Sequence, residues 1–464
     1  MSVRSLTFAA LLASAGFAIA ACNDGPTAAS ALPPDVFALK GGTGGVCLGE
    51  DGTPLPTAPR SARVDLAKPT FSDPTTVTNP LFPVGQLSRV LLLGAADGVP
   101  LRVETTLLPG TRTIDLRPRP VETLVSQYIA LLGGRIHEAA LDFYAQDDGG
   151  AVWYFGEDVF NYEDGVIIDT EGTWLAGTDG PFGMIMPADP QVGDVWRPEN
   201  ICDLVFEEVT AVSTGVTVDG PGGPVLGALV VQELHMDGTF EDKVFAPGYG
   251  EFSTGAGADL EAVALAVPID ALVGPMPAEL STLYDGATEV FDAAQVGNWA
   301  AASATVATMT TAWTSFQAGG VPPMLDTQMS DALAALITAV NANSVSAARQ
   351  AAIHVARATL DLQLRHRALA EVDVDHLDLW ARQVLVDVAA GDQGAVLGDV
   401  ATMQWIRDRL AGDVTSPDLA RIDAQLGRLR AAVAGQGLAA AADAAAGLRS
   451  ALTRTRLRLR PSPA

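Results

Sequence analysis

The sequence predicts an α+β multidomain protein. An N-terminal antiparallel β meander, folded as a curved sheet, a sandwich or a half-barrel, precedes an all-α domain of repeated helical hairpins. Two observations carry this prediction. Over residues 81–268, short apolar runs alternate with turn signals and leave no room for the helical crossovers of parallel strands. Over residues 277–460, the turn signals become sparse and Ala-rich segments with helical periodicity take their place.

The chain begins with the pattern of a secretory signal. Arg4 precedes an apolar run from Leu6 to Ala18, and small residues lead up to Cys22. The run is too short to span a bilayer. A cysteine at this position resembles the lipobox of bacterial lipoproteins, which implies that residues 1–21 are removed and that Cys22 carries a lipid. The resemblance predicts a protein of the bacterial cell envelope, anchored at the periplasmic face of the inner or outer membrane or at the cell surface.

Residues 22–80 are rich in Gly, Pro, Ala, Ser and Thr, and their lack of periodicity predicts a flexible tether. Export would carry the protein into a compartment that permits disulfides. If Cys22 is lipidated, Cys47 and Cys202 remain, and they are a candidate disulfide pair. The alternative is two separate buried thiols.

Composition restricts the function classes. Hydrophobic residues make up 48% of the chain and charged residues 18%, which is enough apolar surface to build cores. The 55 acidic residues outnumber the 28 basic ones and give a net charge of −27. This balance, without a basic and aromatic stripe, predicts no nucleic-acid partner. The motifs of nucleophilic hydrolases, phosphate-binding loops and zinc sites do not occur, and we expect no cofactor.

The β region contains eight predicted strands, which are runs of β-branched and aromatic residues between turn signals such as Asp97-Gly98 and Gly133-Gly134. They span residues 89–93, 101–107, 121–131, 136–144, 152–155, 204–212, 225–235 and 239–245. Connections this short fit hairpins of an antiparallel meander.

The C-terminal region contains eight predicted helices, at residues 277–296, 298–317, 323–342, 344–367, 375–390, 393–411, 416–434 and 437–457. A short turn such as Gly297-Asn298 or Gly391-Asp392 recurs about every 45 residues, which predicts four helical hairpins. Paired helical bundles and a short α-solenoid both fit this pattern.

The candidate ligand-binding residues come from a stretch dense in aromatic and acidic residues. They are Trp153, Tyr154, Phe155, Glu157, Asp158 and Trp174. Aromatic faces with nearby carboxylates bind sugars or apolar ligands, and a carboxylate pair supports glycosidase chemistry. The alternative is a sheet core with acidic loop tips.

Four segments of this region carry a family resemblance. They are Tyr144-Ala145-Gln146-Asp147, Trp153-Tyr154-Phe155-Gly156-Glu157-Asp158, Thr170-Glu171-Gly172-Thr173-Trp174 and Met186-Pro187-Ala188-Asp189-Pro190-Gln191-Val192-Gly193-Asp194. In this order they resemble a family of uncharacterised bacterial secreted proteins and lipoproteins. The chain departs from the family pattern after Asp194, where the family is richer in tyrosine and acidic residues. The resemblance implies export and transfers no catalytic role.

No metal site is predicted, and two weak candidates exist. Asp373, Asp375, His376 and Asp378 could hold a cation, but Asp373 or Asp375 could equally cap a helix over 376–390. His235 with Asp237 has metal-ligand spacing at a strand end.

The sequence therefore predicts a non-catalytic lipoprotein of the cell envelope that binds an apolar, glycan or protein partner, held at the membrane by its N-terminal lipid. One alternative is an envelope hydrolase that uses a carboxylate pair of the β region, with Glu157 or Asp158 as members. Another is a structural scaffold or spacer without a binding site.

Overall fold

A computed structural model describes residues 47–49, 51–116, 119–256, 259–435 and 437–459. The predicted signal segment, the lipidation residue Cys22 and the tether up to residue 46 lie outside the described residues. Within these ranges, one open antiparallel sheet of fourteen strands is followed by eight helices. The α+β class predicted from the sequence is therefore confirmed.

The strands follow the chain in a meander. Their bounds are β1 Arg89–Ala96, β2 Val99–Ile114, β3 Val121–Leu132, β4 Arg135–Gln146, β5 Val152–Glu163, β6 Val166–Asp169, β7 Trp174–Leu175, β8 Gly183–Met186, β9 Val195–Ile201, β10 Val205–Gly220, β11 Gly223–His235, β12 Phe240–Ala246, β13 Gly250–Ala256 and β14 Asp259–Val267. Their order across the sheet is β6-β5-β4-β3-β2-β1-β14-β13-β12-β11-β10-β9, and β7 and β8 both pair with β5. The first and last strands are therefore neighbours.

The sheet curls until its two ends meet. Residues near one end, such as Tyr154 and Trp174, share a buried core with Leu229 and Phe245 from the other end. At the meeting point, a Cβ on Gly183 of β8 would lie 1.8 Å from the carbonyl oxygen of Pro198 in β9, so only glycine allows this approach. One face of the sheet is therefore concave and encloses a core, while the other face carries the helices.

Residues 51–80 do not form the flexible tether that the sequence predicts, because they pack on the sheet. The ring of Phe71 meets that of Phe155 edge-on at 5.5 Å. The Asn79 side chain donates hydrogen bonds to the carbonyl oxygens of Gly150 and Pro187 at 3.0 and 2.9 Å. A few widely spaced anchors hold this segment, in which the regular structure is limited to a 3₁₀ turn at Arg60–Ala62 and isolated bridges. For that reason the periodicity of the sequence does not show them.

Cys47 and Cys202 are joined in a disulfide, with their Cα atoms 5.2 Å apart. Cys47 packs in a small buried cluster with Leu55, Phe206 and Leu234. The bond therefore ties the N-terminal segment to the turn between β9 and β10.

The helices form two four-helix units. Their bounds are α1 Ala278–Gln295, α2 Trp299–Gln317, α3 Pro323–Asn341, α4 Val345–Gln363, α5 Leu369–Ala390, α6 Gln393–Arg409, α7 Ser416–Ala434 and α8 Leu438–Leu459. In each unit, the first helix packs on the second and fourth, and the third packs on the fourth. Of the two arrangements open from the sequence, the structure has paired bundles. No helix in the described ranges is long and apolar enough to cross a membrane.

Helix α5 begins well before its predicted start at residue 375. It begins at Leu369 after the N-cap residue Ala368, so Asp373 and Asp375 lie inside the helix and cap nothing. The capping alternative is therefore wrong for both residues. Their carboxylates hold arginine side chains, and this pairing compensates for their poor helix propensity and their burial.

Candidate ligand-binding site

A cavity of about 140 Å³ lies on the concave face of the sheet, next to β1–β4, β13 and β14. Strand alternation sets its lining. On β2, Val103, Thr105 and Leu107 line the cavity. Arg102 and Glu104, which alternate with them along the strand, face the helices. The segment before β1 contributes further lining residues, so the packed N-terminal chain helps to close the cavity.

One wall of the cavity is aromatic. The ring of Tyr144 stacks on that of Tyr154 at 4.9 Å and meets the edge of Phe82 at 5.0 Å. Tyr128 and Tyr249 also line the cavity. Aromatic rings in such arrangements bind flat apolar groups, and their faces attract cations.

Three carboxyl groups line the cavity. Asp142 accepts a hydrogen bond of 3.1 Å from the Tyr154 hydroxyl, and burial raises the pKa of Asp142 to about 7. Burial raises the pKa of Glu261 to about 8, and one buried oxygen of this group has no hydrogen-bond partner. Glu251 is the third. Among the described lining residues there is no lysine, arginine or histidine.

A pair of carboxyl groups lies behind Asp142. Asp142 stands opposite Glu157 in the register of β4 and β5. Glu157 shares a hydrogen bond with Glu199, and Glu199 also accepts a hydrogen bond of 2.9 Å from the indole nitrogen of Trp174. Burial raises the pKa of both glutamates. Two carboxyl groups can share a hydrogen bond only when one of them keeps its proton.

An ion-pair ladder continues along β10–β12. Lys243 Nζ lies 2.9 Å from a carboxylate oxygen of Glu233. His235 lies 3.8 Å from Glu207 and 3.6 Å from Glu241, and although burial opposes it, these contacts raise the pKa of His235 to about 8. Glu207, Glu233 and His235 each offer a ligand atom within 4.8 Å of the others. Since Lys243 and His235 are the cationic partners of these acids, the group is explained as ion pairs.

The predicted ligand-binding residues fall into different environments. Trp153 and Phe155 are buried in the core with Phe182, and the indole nitrogen of Trp153 donates a hydrogen bond to Asp147. These two aromatic residues are therefore core residues.

Asp158 points away from Glu157 and pairs with Arg112 at 2.6 Å in a half-exposed position. Tyr154, Glu157 and Trp174 gather around Asp142 and Glu199, next to the cavity. The structure thus brings together three of the six predicted residues.

The acidic residues of α5 connect this helix to other elements of the fold through ion pairs with arginine side chains. Asp373 receives two hydrogen bonds of 2.8 Å from Arg89 of β1, which lowers the pKa of Asp373 to about 2 although burial opposes it. His376 Nδ1 lies 3.8 Å from Asp373. Asp375 and Asp378 also pair with arginines, namely Arg367, Arg382, Arg449 and Arg456. The oxygens that a cation would need are therefore taken by guanidinium groups.

The sequence-based prediction of ligand-binding residues did not include the cavity acids Asp142, Glu251 and Glu261. Two of them nevertheless have a recognisable signal in the sequence. Asp142 interrupts the apolar run Leu141 to Ala145, and Glu261 interrupts Leu260 to Val267. A single acid inside a strand with two apolar faces is costly to bury, and this marks it as functional or paired. Glu251 shows no such signal, because it follows a turn.

A scan against models of known protein families found no match to this chain, and a search of curated proteins found none either.

Proposed function

We propose that this protein is a non-catalytic binding protein of the bacterial cell envelope, anchored through a lipid on Cys22, that takes a small ligand into the cavity of its curved sheet. The cavity supports this proposal. Its tyrosines, Tyr128, Tyr144 and Tyr249, offer a surface for a flat or apolar group, and its carboxyl groups offer polar contacts in a largely apolar surrounding. This combination is typical of small-molecule sites.

The geometry favours binding over the hydrolase alternative. Asp158 faces away from Glu157, so the two neighbours in sequence do not form a pair across a cleft. Glu157 and Glu199 do face each other, but they share a hydrogen bond. Glycosidases separate their two carboxyl groups by about 5 Å or more, and a hydrogen-bonded pair leaves no room for a sugar between them.

The cavity does not support the alternative of a structural scaffold or spacer. A spacer needs a packed core without a void, whereas the cavity lies between apolar side chains and three carboxyl groups, one of which has a buried oxygen without a hydrogen bond. Retaining such groups costs stability unless a ligand uses them.

Native mass spectrometry of the gently extracted protein tests the proposal. We expect a bound small molecule in the wild type and its loss in Ser126→Phe, because Ser126 lines the cavity and a phenyl ring would fill it. Ser303→Phe on the exposed face of α2 is the control and should retain the molecule. Recovery of wild-type protein without any ligand would count against binding, and equal retention by both variants would place the ligand elsewhere.

The lipid anchor has its own test. Labelling with a palmitate analogue should mark the wild type and not Cys22→Ala. A labelled Cys22→Ala protein would overturn the anchor without affecting the cavity.

A further inference from the structure

We propose that the ligand of the cavity carries a positively charged ammonium group next to a small ring or apolar body. This inference rests on the binding function proposed above and specifies its ligand class. The observation behind it is the juxtaposition of Asp142, Glu251 and Glu261 with the rings of Tyr128 and Tyr144 in one cavity.

The acidic groups around the cavity outnumber the basic ones. Asp142, Glu251 and Glu261 face it, and none of the described lining residues is basic. A lysine lies beside one of these acids: Lys243 is 2.9 Å from Glu233 and 3.6 Å from Glu251. Lys243 is therefore shared between two glutamates. Its charge also acts on Glu261, but burial outweighs it, and within the described residues neither Asp142 nor Glu261 has an ion pair with a basic side chain.

An unpaired acid in this position has a physical meaning. On the helix side of the sheet, two buried acids have arginine partners, Asp373 with Arg89 and Asp361 with Arg102. In the cavity, one oxygen of Glu261 is buried without any hydrogen bond. A buried acid without a partner is costly, and an incoming ammonium group would supply both the missing charge and the missing donors.

The aromatic wall selects the same class. Ring faces attract cations, and they stack on flat groups, so an ammonium on a ring-bearing body uses both kinds of contact. An anion would face three carboxyl groups and the electron-rich faces of the tyrosines. A neutral sugar could accept and donate hydrogen bonds here but would bring no positive charge to these acids.

The cavity volume limits the size of the ligand. At about 140 Å³ it is close to the engineered cavities of about 150 Å³ that accept benzene. A single six-membered ring with one short charged arm matches this volume. Benzylamine is a suitable probe, and benzyl alcohol and benzoate are its neutral and anionic counterparts.

Calorimetric titration at pH 8 with these three probes tests the inference. We expect benzylamine to bind at least 10-fold more tightly than benzyl alcohol, and benzoate to show no binding. Glu261→Gln should reduce benzylamine affinity at least 10-fold and leave that for benzyl alcohol unchanged. Asp158→Asn removes an acid that pairs with Arg112 outside the cavity, so it is the matched control and should bind like the wild type.

The outcomes separate the two proposals. Equal affinity for benzylamine and benzyl alcohol, or a native ligand that proves neutral or anionic, overturns the charged ligand and leaves the binding function intact. Failure of all three probes, together with ligand-free native protein, overturns both. Circular dichroism of Glu261→Gln, with its retained affinity for benzyl alcohol, shows whether that variant is folded.

Discussion

At the residue scale, the informative positions are polar groups that the fold buries. The conspicuous aromatic stretch of the sequence identifies Tyr154, Glu157 and Trp174. The sequence does not show that Glu251 and Glu261 lie near Asp142, because the three acids come from β13, β14 and β4, which only the curvature of the sheet brings together. Burial of a single residue can be suspected from its context, whereas its partners depend on the topology.

The buried acids predict that the ligand-free protein loses stability as the pH rises from 5.5 to 8.5. Burial raises the pKa of Glu138 and Asp142 to about 7 and that of Glu261 to about 8, above their unfolded values of about 4. The folded state therefore binds more protons than the unfolded state between these values. The contribution of these acids to the stability of the folded state is greatest at the low end of this pH window, and it is lost once the pH has passed 7 to 8. Thermal melts should show a midpoint several degrees lower at pH 8.5.

Two variants and salt isolate the cause of this loss. Glu261→Gln should flatten the pH dependence, and Glu163→Gln at an exposed position should leave it unchanged. High salt screens the general repulsion of a chain with net charge −27 but acts weakly on buried groups. A melting midpoint that rises with pH, or a slope that salt abolishes, would contradict the assignment.

At the element scale, the strands and helices were largely predictable because their patterns are local. The hairpins from β1 to β5 and the eight helices occur near their predicted places. Strand β14 was missed because both of its faces are covered, one by the cavity core and one by the helices, and the polar alternation of a half-buried strand is lost. The packing of 51–80 was missed because isolated anchors show no period.

Buried ion pairs attach the helices to the sheet. The pair between Arg102 of β2 and Asp361 of α4 allows a test of how much such a pair stabilises the protein. Two bonds of 2.8 and 2.6 Å join them in a buried position. Arg102→Met should destabilise the protein by about 3–5 kcal/mol, because Asp361 is then buried without its partner. The double variant with Asp361→Leu should recover most of that loss.

Urea denaturation of the wild type, both single variants and the double variant completes the cycle for this pair. A double variant as unstable as Arg102→Met would mean that the cost arises from lost packing. Glu104 stays paired throughout, because Arg409 also binds it at 2.6 Å.

At the scale of the whole molecule, the layers are a concave core, a sheet and two four-helix units. The sequence indicates the two halves through their change of pattern. It does not indicate that the helices cover the convex face, because the ion pairs and apolar contacts that fix this arrangement join residues hundreds of positions apart, such as Arg409 and Glu104.

The disulfide acts at this scale because it closes a loop across a separation of 155 residues. In the chain-entropy model, such a crosslink stabilises the folded state by about 5 kcal/mol through the unfolded state. Replacing both Cys47 and Cys202 with serine should lower the free energy of unfolding by an amount of this order, as urea denaturation would measure. Reducing the wild type should shift the transition equally. A loss below about 1 kcal/mol would mean that the unfolded chain stays compact here.

Strand β2 performs two tasks with alternate residues, ion pairs toward the helices and cavity lining on the reverse side. A change of residue alters one task, but deletion of a single residue would exchange the two sides, placing arginine and glutamate in the cavity and valine opposite Asp361. Natural variants of this protein are therefore free to differ in chain length at the tight turn Asp97-Gly98, whereas the length of β2 should be invariant even where its residues are not. Among related sequences, the length of β2 should therefore be conserved more strictly than the identity of its residues.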